Sequence, residues 1–102
     1  MIIRPALDVH RPRDLTLLCE RLAQRLQRAG LTHPLEAAVA LTVRGARQAD
    51  LQDQARALGL SSAHLAGIEA GHLAFPDLPP PLLAAARDTA GLDLDRLMSP
   101  NH

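Results

Sequence analysis

Four glycines, at positions 30, 59, 71 and 91, cut the chain wherever a helical pattern of apolar residues runs out. Glycine is favoured just past a helix end because the left-handed backbone found there leaves no room for a Cβ. Residues that can cap a new helix follow each one: Thr32, then Ser61 and Ser62, then Asp77, then Asp93. Between these breaks the chain is leucine and alanine, 20 and 18 of 102 residues, against three Val, three Ile, one Phe and neither Trp nor Tyr. Those are helix formers, and β-branched or aromatic residues are too few to build a sheet. An all-α bundle of short helices is predicted, with one modest core.

The opening "MIIRPALDVHRPR" has two prolines and no helical period, and reads as an extended arm with a short strand at Met1–Arg4. A helix is expected from about Asp14 to Ala29, with Asp14 as its N-cap and Gly30 as its stop. Leu15, Leu18, Leu22 and Leu26 make its apolar stripe, with Cys19 and Ala23 beside it. Arg21, Arg25 and Arg28 form a second stripe, which is either a solvated edge or a contact for phosphate or an acidic partner. This amphipathic helix packs on its own domain or across a dimer.

Thr32 is expected to cap the next helix, with His33 and Pro34 in the first turn and Leu35, Val39, Val43 and Ala46 facing inward. In "ADLQDQARALGLSS" Asp50 is the cap, Leu51, Ala55 and Leu58 share a face, and Gly59 ends the helix. Ser61 or Ser62 then caps a short helix to about Ala70, with Leu65 and Ile68 turned inward. "HLAFP" reads as a loop in which Phe75 fills the core and Leu73 is exposed. Asp77 is expected to cap a helix carrying Pro79–Pro81 in its first turn, the one place such a run is tolerated, and Asp93 caps a last turn, "LDRLM". No linker is long enough to divide the chain.

The charges cancel, 11 Arg against 11 acids with no Lys, but unevenly. Residues 1–33 hold six Arg against Asp8, Asp14 and Glu20, and residues 34–102 hold five against eight acids. Attraction for phosphate therefore concentrates in the first third. Cys19 is alone, so no internal disulfide forms and a reducing cytoplasm is expected. "AAVALTV" is too short to span a bilayer and "MIIRPALDV" lacks a signal-peptide pattern, which also points to a cytoplasmic protein. His10, His33, His64, His72 and His102 fall at no metal-ligand spacing, so neither metal nor cofactor is expected. There is no phosphate-cradling glycine loop and no Ser/His/Asp arrangement, and a Leu/Ala core offers little polar lining; catalysis is not expected. A single aromatic also argues against single-strand binding by base stacking.

From about residue 35 to 98 the chain resembles the Xre/Cro-like helix-turn-helix family of phage and bacterial repressors. Ala55 stands where the family has a small residue at the helix crossing, and Gly59 stands at the turn. Leu65 and Ile68 match the buried positions of the second helix. "IEAG" matches an Ile-Glu-x-Gly ending, and "PDLPPPLLAAARDTAGLDLDRL" the closing segment. The resemblance implies a five-helix domain at 33–98, preceded by an arm and amphipathic helix at 1–32 and followed by a tail at 99–102. It also implies a structural ion pair between Arg44 and Glu69, a homodimer, and contact with double-stranded DNA.

The departures fall on the surface that would meet DNA. The family commonly has Gln at the start of the second helix, where this chain has Leu51. Groove-facing positions fall on Ser62, Ala63, Ala66 and Gly67, none able to make a forked contact to a base. Ser62 and His64 are the only direct readers. Gln54 occupies a place that is ordinarily apolar, with Leu51 expected to take over by a shift of the helix face. Two explanations stand. Either DNA is held weakly, or with a partner's help, through its backbone and shape by Ser61, Ser62, Ala63, His64 and Gly67 together with Arg21, Arg25 and Arg28. Or the motif has become an adaptor- or antitoxin-like module that docks a protein partner on Ala63, Gly67 and Gly71.

Overall fold

A computed structural model describes residues 14–99, and the expected arm and strand before Asp14, like the tail from residue 100, lie outside them. The described residues form six α-helices and no strand. In chain order these are α1 (Thr16–Arg28), α2 (Pro34–Arg47), α3 (Leu51–Leu58), α4 (Ser62–Glu69), α5 (Pro80–Asp88) and α6 (Leu94–Met98), with a 3-10 turn at Phe75–Asp77 between α4 and α5. None is long and apolar enough to cross a membrane.

α2 is the central element. Ala37, Ala38, Val39, Ala40, Thr42 and Val43 are all buried, because α1, α4 and α5 each pack against it. Its alanine-rich side lets α1 lie close, which decides what α1 buries. The deepest residues of α1 are Cys19 and Thr16, while Leu15, Leu22, Ala23 and Leu26 are half-buried around them. Leu18, expected in the buried stripe, is 56% exposed. A stripe of leucines gives the side of contact, but the small alanines of α2 draw in the small thiol beside that stripe instead.

α1 packs on its own chain and is also tied to the far end of it. The Leu15 amide donates to the Ala90 carbonyl at 3.0 Å and the Asp93 amide to the Thr16 hydroxyl at 3.0 Å. Arg96 reaches Glu20 at 3.3 Å. Asp14 acts at the helix start by accepting the Thr16 amide at 3.1 Å, although Leu15 is the flanking residue. That hydrogen bonding holds the Asp14 carboxyl below its ordinary range.

Two other helix starts differ from expectation. α2 begins at Pro34 with His33 before it rather than Thr32, since the His33 amide is held by the Gly71 carbonyl at 3.1 Å. α5 begins at Pro80 with Pro79 before it rather than Asp77, because Asp77 closes the 3-10 turn. That turn is anchored where the Phe75 amide donates to Glu36 Oε2 at 3.2 Å. Phe75 and Leu73 both lie half-buried against the core, so Leu73 is not the exposed residue expected.

Burial pushes the Cys19 thiol up to about 11, against a smaller opposing pull from the Thr42 hydroxyl beside it. An unfolded thiol titrates near about 8.5. The folded chain therefore keeps its proton longer, and the stability due to neutral Cys19 is complete below about 8.5 and is lost as pH rises toward 11. Urea unfolding followed across that window is expected to show a loss of about 3 kcal/mol that a Cys19→Ala chain does not share.

Candidate nucleic-acid interface

α3 and α4 are two eight-residue helices joined by three residues, and the sequence explains each end. Asp50 accepts the Asp53 amide at 2.8 Å and starts α3. Gly59 adopts φ 73°, which lets the Leu60 amide turn back to the Ala55 carbonyl at 2.8 Å and closes the helix. Ser61 accepts the His64 amide at 3.0 Å and starts α4. Ala55, Leu58, Leu65 and Ile68 are buried where the two helices meet the core.

Behind this pair, Arg44 of α2 grips Glu69 at the end of α4 with both arms: Nε to Oε2 at 2.9 Å and Nη2 to Oε1 at 3.0 Å. Nη1 reaches the Ala49 carbonyl at 3.4 Å. The Glu69 side chain is only 10% exposed and that of Arg44 29%. Hydrogen bonding to Glu69 raises the Arg44 guanidinium above its already high ordinary value, so the guanidinium stays charged at any ordinary pH.

The outer face of α4 carries little chemistry. Ala63, His64 and Ala66 are exposed, while Ser62 and Gly67 are half-buried. The first amides of α4 have no acceptor within the helix and carry the positive end of its dipole. The Ser61 oxygen is engaged by His64, which leaves its O–H free to donate outward. Beside these lies a shallow cleft of about 460 Å³ lined by Gln52, Ala55, Arg56, Leu60, Ser61 and Ser62. Arg56 is 81% exposed and held only by a 3.9 Å contact to Asp53, too exposed to restrain it. Sequence reading passed over Arg56; the signal was there, a lone cation three residues ahead of the turn glycine.

Arg21, Arg25 and Arg28 are exposed on α1. Arg21 and Arg25 line a different groove, between α1 and α2, away from the residues that line the cleft at the α4 start. Gly71 is also apart from the face of α4: it is buried at φ 82°, and a Cβ there would stand 3.1 Å from the Leu31 Cβ. The four-residue spacing of Ala63, Gly67 and Gly71 therefore does not form one open surface. Around Gly67 there is room, since a Cβ would meet only Leu73 and His72, at 3.8 and 4.0 Å. Among the described residues, no group of three or more His, Cys, Asp or Glu is placed to hold a metal ion.

Gln54 is the unexpected residue beneath this surface. It is fully buried, so Leu51, half-buried, does not replace it. Its Oε1 accepts from Arg47 Nη1 at 2.7 Å, but its Nε2 has no hydrogen-bond partner. A buried donor left unpaired costs about 1–3 kcal/mol, whereas Arg47 is exposed and regains water if released. Gln54→Leu is expected to stabilise the fold by about 1 kcal/mol, read as a rise of about 4–8 °C in Tm.

Comparison with known proteins brings no match to this chain among family models, curated proteins or solved structures.

Proposed function

We propose that α3 and α4 act as a helix-turn-helix unit and that the protein is a regulator contacting double-stranded DNA without forked base readout. The observation that carries this reading is the junction itself: two short helices across a left-handed Gly59, braced by Arg44 and Glu69, with the α4 N-terminus left open to solvent. Gly59 and Glu69 are among the positions on which the resemblance to Xre/Cro-like repressors rests, and the Arg44–Glu69 pair is one that the resemblance implies. Phosphate is held by the first amides of α4, the Ser61 hydroxyl and Arg56. Asp50 and Asp53 at the α3 start oppose that contact, and the affinity is correspondingly weak.

Fluorescent duplex DNA titrated with the full chain tests this. Binding at low salt is expected to weaken linearly with log salt, and Arg56→Ala to flatten that slope by about 0.9, one phosphate contact. Gly67→Arg, whose Cβ would make only ordinary contacts with Leu73 and His72, is expected to raise affinity about tenfold. Absence of binding at low salt, for the wild type and the Gly67→Arg chain alike, overturns the reading.

A further inference from the structure

A second groove lies away from the α4 start, between α1 and α2. Its volume is about 550 Å³, and its apolar lining includes Leu15, Leu18, Leu22 and Leu41. Leu18 is 56% exposed at its edge, with Leu17 beside it in the chain at 54%. Arg21 and Arg25 line the same groove, exposed and one helical turn apart. Neither guanidinium has an ion-pair partner among the described residues, and Glu20 of α1 is engaged by Arg96 at 3.3 Å. Gly45 of α2 also lines the groove, inside a helix, and a Cβ built there meets nothing within 4 Å. Among the described residues, bare backbone is thus left uncovered there.

The charges select among occupants. The preceding 13 residues join beside the groove at Leu15 and are long enough to cover it, at about 3.3 Å per residue. They carry Arg4, Arg11 and Arg13 against Asp8 alone, so they bring more positive charge to Arg21 and Arg25. A second copy laid helix to helix along α1 brings Arg21, Arg25 and Arg28 against their own kind. An apolar helix edged with carboxylates meets the leucines and the unpaired guanidiniums together.

We propose that this groove docks an acidic amphipathic helix of another protein. Leucine-sized side chains of the partner enter between α1 and α2, its backbone passes close over Gly45, and Asp or Glu residues one turn apart engage Arg21 and Arg25. This assignment goes beyond the DNA reading and does not rest on it, because the two surfaces share no residue.

The test uses the full chain and two labelled helical probes of the same apolar face, one flanked by glutamate and one by lysine, followed by fluorescence anisotropy. The glutamate peptide is expected to bind about tenfold or more tightly than the lysine peptide, with a preference that shrinks as salt rises. An Arg21→Glu, Arg25→Glu chain is expected to reverse the preference. Gly45→Trp, whose side chain has open space to enter, is expected to abolish both while circular dichroism and Tm show the fold retained. Equal affinity for the two peptides, no affinity for either, or binding that survives Gly45→Trp overturns the proposal. So does a dimer in sedimentation that Gly45→Trp dissociates, which assigns the groove to a second copy. Glutamate-peptide binding that emerges only after Ile2→Asp and Ile3→Asp overturns it in favour of the chain's own opening segment. Loss of duplex binding in the Arg21→Glu, Arg25→Glu chain without any peptide binding overturns it in favour of DNA.

Discussion

Arg44→Ala is expected to destabilise the fold by about 3 kcal/mol, lowering Tm by about 12–24 °C. The substitution strands the Glu69 carboxylate, only 10% exposed, without either of its hydrogen bonds, and removes the contact to Ala49 as well. Glu69→Ala is expected to cost less, because the Arg44 side chain, 29% exposed, can turn part of its charge back to water. The order of the two single variants thus reports which partner is more desolvated. Replacing both by leucine removes both charges at once, and the double variant is expected to recover much of the loss. Chemical denaturation of the wild type and the three variants checks all three statements. Equal losses in the single variants, each below about 1 kcal/mol, would mean that the pair behaves as an exposed one.

Leu65→Ala is the second large effect, about 3 kcal/mol within a range of about 2–5. Leu65 is fully buried at the meeting of α4 with the core, beside Ile68 and the residues of α2 and α3, so truncation leaves a cavity that two short helices cannot easily close. The same substitution at Leu18 is expected to stay within about 0.5 kcal/mol, since that side chain is 56% exposed. Urea midpoints for the two variants make the comparison within one protein. A Leu18→Ala loss as large as that of Leu65→Ala would place the α1 stripe in the core after all.

That contrast also marks what was legible in the sequence. Helix positions were readable, because they follow from local signals: Asp50, Ser61 and Asp93 each cap the helix expected of them, and Gly59 ends α3 in the left-handed conformation. Depth was not. Whether Leu18 or Cys19 goes innermost depends on the alanines of α2, which lie about twenty residues away in the chain and present small side chains to α1. Helix starts beside prolines were misread for a related reason. Thr32 and Asp77 are good caps, but a hydrogen bond from the His33 amide to Gly71 and the tight turn at Phe75 settle the backbone first. At the candidate site, the pattern supplied the junction and the bareness of the α4 face. It did not supply the separation of Arg21 and Arg25 from that face, which is a property of packing.

The tie between the two ends of the described chain has a consequence for how the molecule is made. Thr16 and Asp93 are 77 residues apart, so α1 leaves the ribosome well before the segment that receives it. At about 5–20 residues per second, that interval is about 4–15 s. Throughout it, the edge of α1 at Leu15, Thr16 and Glu20 that Ala90, Asp93 and Arg96 later meet stays open to whatever the cell offers nascent chains. A ribosome stalled a few residues short of Asp93 would hold a chain whose first helix lacks the hydrogen bond that Asp93 gives it.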